Sequence, residues 1–175
     1  MRTSQATRRL SVAALSMALA TALSGCFTSV RTTAPPERGA RSSSSINGLS
    51  LLTMPMAISI HSHTGVDGVA VKVFASSPGQ PKSQPIREGT LDILMFDGVV
   101  KDPPAENGSS RHVWTFAATQ LAPYKISTAV GVAYTLALSW DNDVPADDKI
   151  TLFARYRPPQ GAVVFSAPGY LLIVR

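Results

Sequence analysis

The sequence predicts an all-β fold, a two-sheet antiparallel β-sandwich of about seven or eight strands with at most one short helix. Short apolar runs recur between clusters of Pro, Gly, Asn and Asp, which is the pattern of sandwiches and barrels. Several runs alternate, so that Val69, Val71 and Val73 lie on one face of a strand. The chain has 175 residues and one cysteine, so no disulfide can form within it and core packing must hold a domain of ordinary size together.

Residues 49–175 form the predicted sandwich, with either an immunoglobulin-like or a transthyretin-like arrangement. We expect its strands at residues 57–61, 68–75, 89–96, 112–116, 132–140, 149–156, 162–166 and 170–174. Residues 117–126 are the one segment with helical character, in which Leu121 reaches the core and Pro123 limits the length. The last strand is apolar on both faces, which favours a strand buried between neighbours. The alternative is an exposed edge available to a partner strand.

The net charge of +5 lies outside this predicted domain. Residues 1–25 carry three Arg and no acid, and residues 27–48 carry three Arg and one Glu. From Leu49 onward, ten Lys or Arg are matched by ten Asp or Glu. A neutral domain lacks the basic footprint that phosphate binding requires, so we predict no nucleic-acid partner.

The first 25 residues have the organisation of an export signal. Residues 1–9 are basic, and residues 10–23 form an apolar run of small side chains. As a helix this run would span about 21 Å, which is short of the ~30 Å hydrocarbon core of a bilayer. Its length therefore fits a cleavable signal better than a permanent membrane span.

The signal ends in Leu23-Ser24-Gly25-Cys26, which resembles the lipobox of bacterial lipoproteins. The resemblance implies cleavage between Gly25 and Cys26 and a diacylglyceryl thioether on the Cys26 sulfur, with palmitate-type acyl chains in the membrane. Each buried methylene contributes about 0.8 kcal/mol, so two or three chains hold the protein firmly. The structural alternative is an ordinary signal peptide with an incidental cysteine.

Residues 26–48 are predicted to be the lipidated cysteine and a disordered tether, because Ser, Thr, Pro, Gly and charged residues dominate them. Phe27, rather than Asp, follows the anchor. By resemblance to enterobacterial sorting rules, this favours the outer membrane, with the domain facing the periplasm, over the inner membrane or the cell surface.

Two groups of residues suggest a metal site. His61 and His63 are spaced i, i+2, which in a strand places both side chains on one face about 6.5–7 Å apart, close enough for one zinc or copper ion. Asp67 could add a carboxylate. Asp141 and Asp143 belong to a loop with four carboxylates, a donor set that calcium prefers, although the EF-hand spacing is missing. A solvated strand end and a polar hairpin loop are the respective alternatives.

Nothing in the sequence predicts catalysis. The cysteine is assigned to lipid, and no Ser lies in a Gly-x-Ser-x-Gly elbow. We therefore predict a lipid-anchored binding or assembly module of the cell envelope, not an enzyme, with no cofactor and an envelope protein as partner. The alternative is a metal-binding envelope protein or metal-dependent enzyme that uses His61 and His63.

Two further resemblances concern the domain. The lipobox, the tether and a Val-x-Val-x-Val-Phe strand at residues 69–74 resemble the small lipoproteins that anchor type VI secretion machinery. The segment at residues 89–97, together with residues 134–140, is similar to uncharacterised bacterial lipoproteins of comparable size. Neither resemblance implies a functional residue in the domain.

Overall fold

A computed structural model describes residues 45–61, 65–105 and 108–174. Within these ranges the chain forms nine strands and one 3₁₀ helix. In chain order they are β1 (Gly48–Thr53), β2 (Gly68–Ser76), β3 (Thr90–Asp97), β4 (His112–Ala117), the 3₁₀ helix (Ala118–Tyr124), β5 (Lys125–Thr128), β6 (Gly131–Ser139), β7 (Lys149–Arg157), β8 (Val164–Phe165) and β9 (Gly169–Leu172).

The strands form two antiparallel sheets, which confirms the predicted all-β sandwich. The first sheet has the order β1-β2-β6-β5. The second sheet has the order β4-β3-β7-β8. Strand β9 lies on the same side of β7 as β8, where β9 pairs with the first half of β7 and β8 with the second half. Every strand pair in the two sheets is antiparallel.

The core lies between the two sheets because side chains alternate along each strand. The first sheet contributes Val69, Val71, Val73, Tyr134, Leu136 and Leu138, and the second contributes Leu91, Ile93, Met95, Ile150, Leu152, Ala154 and Tyr156. All of these side chains are buried. The alternation that predicted the fold therefore does correspond to one shared core.

The two long sides of the sandwich are closed in different ways. On one side, residues 54–57 leave β1 and run beside β9 of the other sheet, where the Ala57 N–H donates to the Leu172 carbonyl at 2.9 Å. On the opposite side, the 3₁₀ helix joins β4 to β5 and buries Leu121 completely. There the Trp114 indole N–H also donates to the Ser139 carbonyl at 2.6 Å and links β4 to β6.

Three local predictions differ from the structure. The expected strand at residues 57–61 is wrong: Ile58 makes one isolated bridge with Gly68, and residues 60–61 form a bend. Strand β1 begins at Gly48, and Ile46, which the sequence assigned to the tether, is buried in the core. Strand β5 takes up the end of the predicted helix, because the 3₁₀ turn that contains Pro123 stops at Tyr124.

Candidate functional site

Several predicted functional residues lie outside the described part of the chain. These are Gly25 and Cys26, at the predicted cleavage and lipidation site, and His63 of the predicted histidine pair. The predictions for these three residues remain predictions.

His61 belongs to a bend that is organised by Asp67. The backbone N–H groups of Ile60 and His61 donate to the Asp67 carboxylate at 2.5 and 3.0 Å, and the His61 Nδ1 lies 2.8 Å from it. These contacts lower the pKa of the Asp67 carboxyl to about 2, and the hydrogen bond from the Ile60 N–H has the largest effect. Asp67 is therefore a bend-forming acceptor, which also explains why residues 60–61 do not continue as a strand.

The carboxylates of Asp141 and Asp143 make contacts with different residues. The Asp141 carboxylate accepts a hydrogen bond from the Ser139 hydroxyl at 3.0 Å, and its backbone has a positive φ of 50°. The Asp143 carboxylate contacts Nδ1 of His112 at 2.5 Å, and the His112 ring packs on Trp114 with centroids 4.6 Å apart. The acidic loop is thus attached to the start of β4.

The fold brings the two predicted metal sites to one end of the sandwich. Gly68 at the start of β2 is paired with Ser139 at the end of β6, and the Trp140 N–H donates to the Asp67 carbonyl at 3.2 Å. Even so, no group of three or more His, Cys, Asp or Glu side chains within residues 45–61, 65–105 and 108–174 is arranged to hold a metal ion.

A buried ion cluster lies on the outer face of the second sheet. The fully buried Asp92 accepts a hydrogen bond from Nη2 of Arg157 at 3.0 Å and one from Nε of Arg155 at 2.9 Å. Nε of Arg157 also lies 2.9 Å from this carboxylate and forms an ion pair with it. The Thr115 hydroxyl donates to the same carboxylate at 2.9 Å. We refer to Asp92, Thr115, Arg155 and Arg157 as the Asp92 cluster. Both of its arginines are bound to the Asp92 carboxylate.

Exposed apolar side chains form a row along β9, on the side where the sheets meet. Met56 is bridged to Leu172, and Tyr170 lies two residues before Leu172 on the same face. These three side chains, which we call the apolar row, are 54%, 46% and 46% exposed, respectively. Leu171 and Ile173 on the other face are buried, so only one of the two apolar faces of this strand is covered.

The backbone of β9 is not an open edge. It pairs with β7 on one side, and on the other the Leu172 N–H donates to the Pro55 carbonyl at 3.0 Å. A partner strand therefore cannot add to it as the predicted alternative required. What β9 offers to a partner is its exposed side chains.

The comparisons with known proteins give no relatives. No protein-family model matches the chain, and searches of curated proteins and of solved structures found no significant similarity. In the part of the chain that the structure describes, no helix combines the length and the apolar character needed to cross a bilayer.

The sequence alone predicts neither the apolar row nor the Asp92 cluster. The signal for the row was present, because Tyr170 and Leu172 alternate with the core residues Leu171 and Ile173 in a run without polar residues. The signal for the cluster was absent, because Asp92 is 63 residues from Arg155 along the chain. Only the pairing of β3 with β7 places them opposite each other.

Proposed function

We propose that this chain is a lipid-anchored β-sandwich that works as a binding or assembly module at the cell envelope. The attachment is supported by the order of basic segment, apolar run and Leu-Ser-Gly-Cys ending at Cys26. The binding role is supported by the apolar row, since contiguous exposed apolar side chains on a soluble domain mark interaction surfaces.

The proposed mechanism is localisation. Acyl chains on Cys26 confine the domain to the membrane surface, close to other proteins of the envelope. Restricting both partners to one surface raises their effective concentration, so a small side-chain contact is enough for association. The absence of Asp after Cys26 supports the periplasmic face of the outer membrane as the location.

The partner surface that fits the apolar row is a protein face with apolar side chains of its own. The β9 backbone is already hydrogen-bonded on both sides, so contact is made by Met56, Tyr170 and Leu172 rather than by strand addition. The Tyr170 hydroxyl also donates to the Val100 carbonyl at 3.3 Å, which helps to hold that ring in place. A side chain already fixed before binding loses less conformational entropy in a complex.

The anchor is tested by membrane fractionation of cells that express the full chain or its Cys26→Ser variant. We expect the parent chain in the membrane fraction, with an intact mass that corresponds to a chain starting at Cys26 plus acyl groups. The variant is expected in the soluble fraction. A variant that stays with the membrane contradicts lipid anchoring.

The binding surface is tested by site-specific photocrosslinking in whole cells. A benzoylphenylalanine placed at Leu172 samples the apolar row, and one placed at the exposed Thr135 on the outer face of β6 is the matched control. We expect a discrete crosslinked envelope protein from position 172 and none from position 135. No adduct at 172, or the same adduct at both positions, contradicts a binding role for the row.

A further inference from the structure

A small pocket opens on the side of the sandwich opposite β1, where the 3₁₀ helix meets β5. It has a volume of about 230 Å³ and is lined by Pro85, Ile86, Arg87, Ala118, Ala122, Lys125 and Tyr134. Dedicated small-molecule sites usually occupy about 300–1,000 Å³. The pocket is therefore of the right size for one short chemical group rather than for a whole cofactor.

Two cationic side chains, Arg87 and Lys125, flank the pocket, and the pairing of β5 with β6 fixes the position of Lys125. Lys125 on the edge strand β5 is paired directly with Tyr134 on β6, so both side chains lie on the inward face of the sheet. Arg87 follows the buried Ile86 and lines the pocket beside it. Burial raises the pKa of the Tyr134 hydroxyl, and the Ile86 N–H and the positive charge of Arg87 partly offset this.

Neither cation has a carboxylate partner in the part of the chain that the structure describes. Among residues 45–61, 65–105 and 108–174, no carboxylate lines the pocket, and neither Arg87 nor Lys125 makes an ion pair. The segment that carries Arg87 is nevertheless well fixed. The Ala118 N–H donates to the Gly89 carbonyl at 3.1 Å, and a side chain at Gly89, where φ is +77°, would lie 2.4 Å from the Arg157 carbonyl oxygen.

The Tyr134 hydroxyl forms the polar floor of the pocket. It accepts a hydrogen bond from the Ile86 N–H at 2.8 Å. Within the part of the chain that the structure describes, its own proton has no acceptor, so this proton is available to a ligand oxygen. Because burial raises its pKa, the hydroxyl stays protonated at neutral pH and acts as a donor.

We propose that this pocket binds a carboxylate, with Arg87 and Lys125 supplying charge and the Tyr134 hydroxyl supplying a hydrogen bond. A guanidinium suits the planar carboxylate fork, and Pro85, Ala118 and Ala122 provide an apolar wall for the carbon attached to it. Phosphate sites typically add a nest of backbone N–H groups. Here the N–H groups of Ile86 and Ala118 are already used within the protein.

Two kinds of ligand carry such a carboxylate: a small free organic acid, and an acidic side chain or the C-terminus of a partner protein. The site is on the opposite side of the sandwich from the apolar row, so the proposal does not depend on that surface. The competing explanation is that Lys125 only guards an edge strand against pairing, a common use of inward-pointing charge. That explanation requires no ligand.

The test is a titration of the isotope-labelled full chain, followed through the backbone amide signals of Ile86 and Tyr134. The probes are acetate, N-acetylglycine as a C-terminal mimic, a blocked glutamate for an acidic side chain, acetamide as the neutral isostere, and inorganic phosphate. We expect saturable shifts with the carboxylates and none with acetamide. Tighter binding of N-acetylglycine or blocked glutamate than of acetate identifies a protein partner, and equal binding identifies a free acid.

Variants connect the binding to the pocket. Arg87→Gln and Lys125→Gln should each weaken acetate binding about tenfold, which is the effect of losing one charge-assisted contact. Lys149→Gln, at an exposed cation on β7, is the matched control and should leave the affinity unchanged. Absence of saturable shifts, equal affinity in the Arg87→Gln/Lys125→Gln double variant, or tighter binding of phosphate than of acetate overturns the proposal.

Discussion

Two pairs of cationic side chains in this domain have opposite surroundings. Arg155 and Arg157 lie on one face of β7 and share the fully buried carboxylate of Asp92 on the neighbouring strand. Arg87 and Lys125 flank the pocket near Tyr134, which no described carboxylate lines. The difference shows that similar cationic side chains in this fold have different surroundings, a buried carboxylate for one pair and an open pocket for the other.

The two regions also differ in what they contribute to the protein. Asp92 and Arg155 are removed from water, so their attraction is weakly screened and each depends on the other. The Arg87 and Lys125 charges are hydrated, so removing them should change binding and leave folding unaffected. Substitutions in the two regions should therefore change the stability of the protein by very different amounts.

The largest effect is expected for Asp92→Asn. The substitution keeps the shape of the side chain but leaves two arginines around a site without negative charge, and breaking a buried ion pair in this way typically costs about 3–5 kcal/mol. Urea unfolding measures the change in the free energy of unfolding. Asp102→Asn, at an exposed loop position, is the control and should stay within about 0.5 kcal/mol of the parent. A loss below about 1 kcal/mol for Asp92→Asn would show that the cluster is not a structural unit.

A smaller loss is expected for Tyr134→Phe. The hydroxyl is the acceptor for the Ile86 N–H, and a buried donor left without a partner costs about 1–3 kcal/mol. Tyr124→Phe is the matched control, because the Tyr124 ring packs on Phe116 and its hydroxyl has no hydrogen bond among the described residues. If the two variants unfold at the same urea concentration, the floor of the pocket is not organised by this hydrogen bond.

The two pairs of cations are compared directly by single Gln substitutions. Arg157→Gln removes one hydrogen bond and an ion pair with Asp92 but leaves the hydrogen bonds from Arg155 and Thr115. Because the Arg157 side chain is 44% exposed, we expect a loss of about 1 kcal/mol. Arg87→Gln should change the free energy of unfolding by less than about 0.5 kcal/mol. Chemical denaturation of both variants under identical conditions decides this, and an equal loss in both would remove the distinction between the pairs.

The smallest effect concerns pH. The pKa of Asp67 is lowered from 3.8 to about 2, and the hydrogen bond from the Ile60 N–H is the main cause. A lowered pKa means that its contribution to stability is complete above about pH 4 and is lost as the pH falls toward 2. Unfolding measured between pH 5 and pH 2 should therefore show a weaker acid dependence for Asp67→Asn than for the parent. Identical pH profiles would mean that the bend at residues 60–61 does not depend on the carboxylate.

Most strands, including the short strands β4, β8 and β9, could be predicted from the sequence, whereas β1 and β5 could not. Alternation over residues 68–75, 132–140 and 149–156 is enough to identify β2, β6 and β7, because each of these nine-residue strands places four or five side chains on each face. Strand β5 has four residues and only one of them is partly buried, so tertiary pairing with β6 rather than its own pattern makes it a strand. The predicted strand at residues 57–61 failed because Asp67 takes up the backbone N–H groups that a strand would use.

The pocket could not be predicted because its residues come from separate parts of the chain. Arg87, Lys125 and Tyr134 meet only through the β5–β6 register and the hydrogen bond between Tyr134 and Ile86. The same holds for His112 and Asp143, which are 31 residues apart. In contrast, the proposed anchor needs no tertiary information, since the signal and Cys26 are read from a continuous segment.

The central claim, that attachment enables binding, is tested most directly by photocrosslinking from position 172 in the Cys26→Ser background, at matched protein levels. The proposed mechanism predicts that the partner crosslinked by the anchored chain is lost or strongly reduced when the chain is released from the membrane. An equal yield of the same adduct from the released chain would contradict the claim, because the apolar row would then bind without help from localisation.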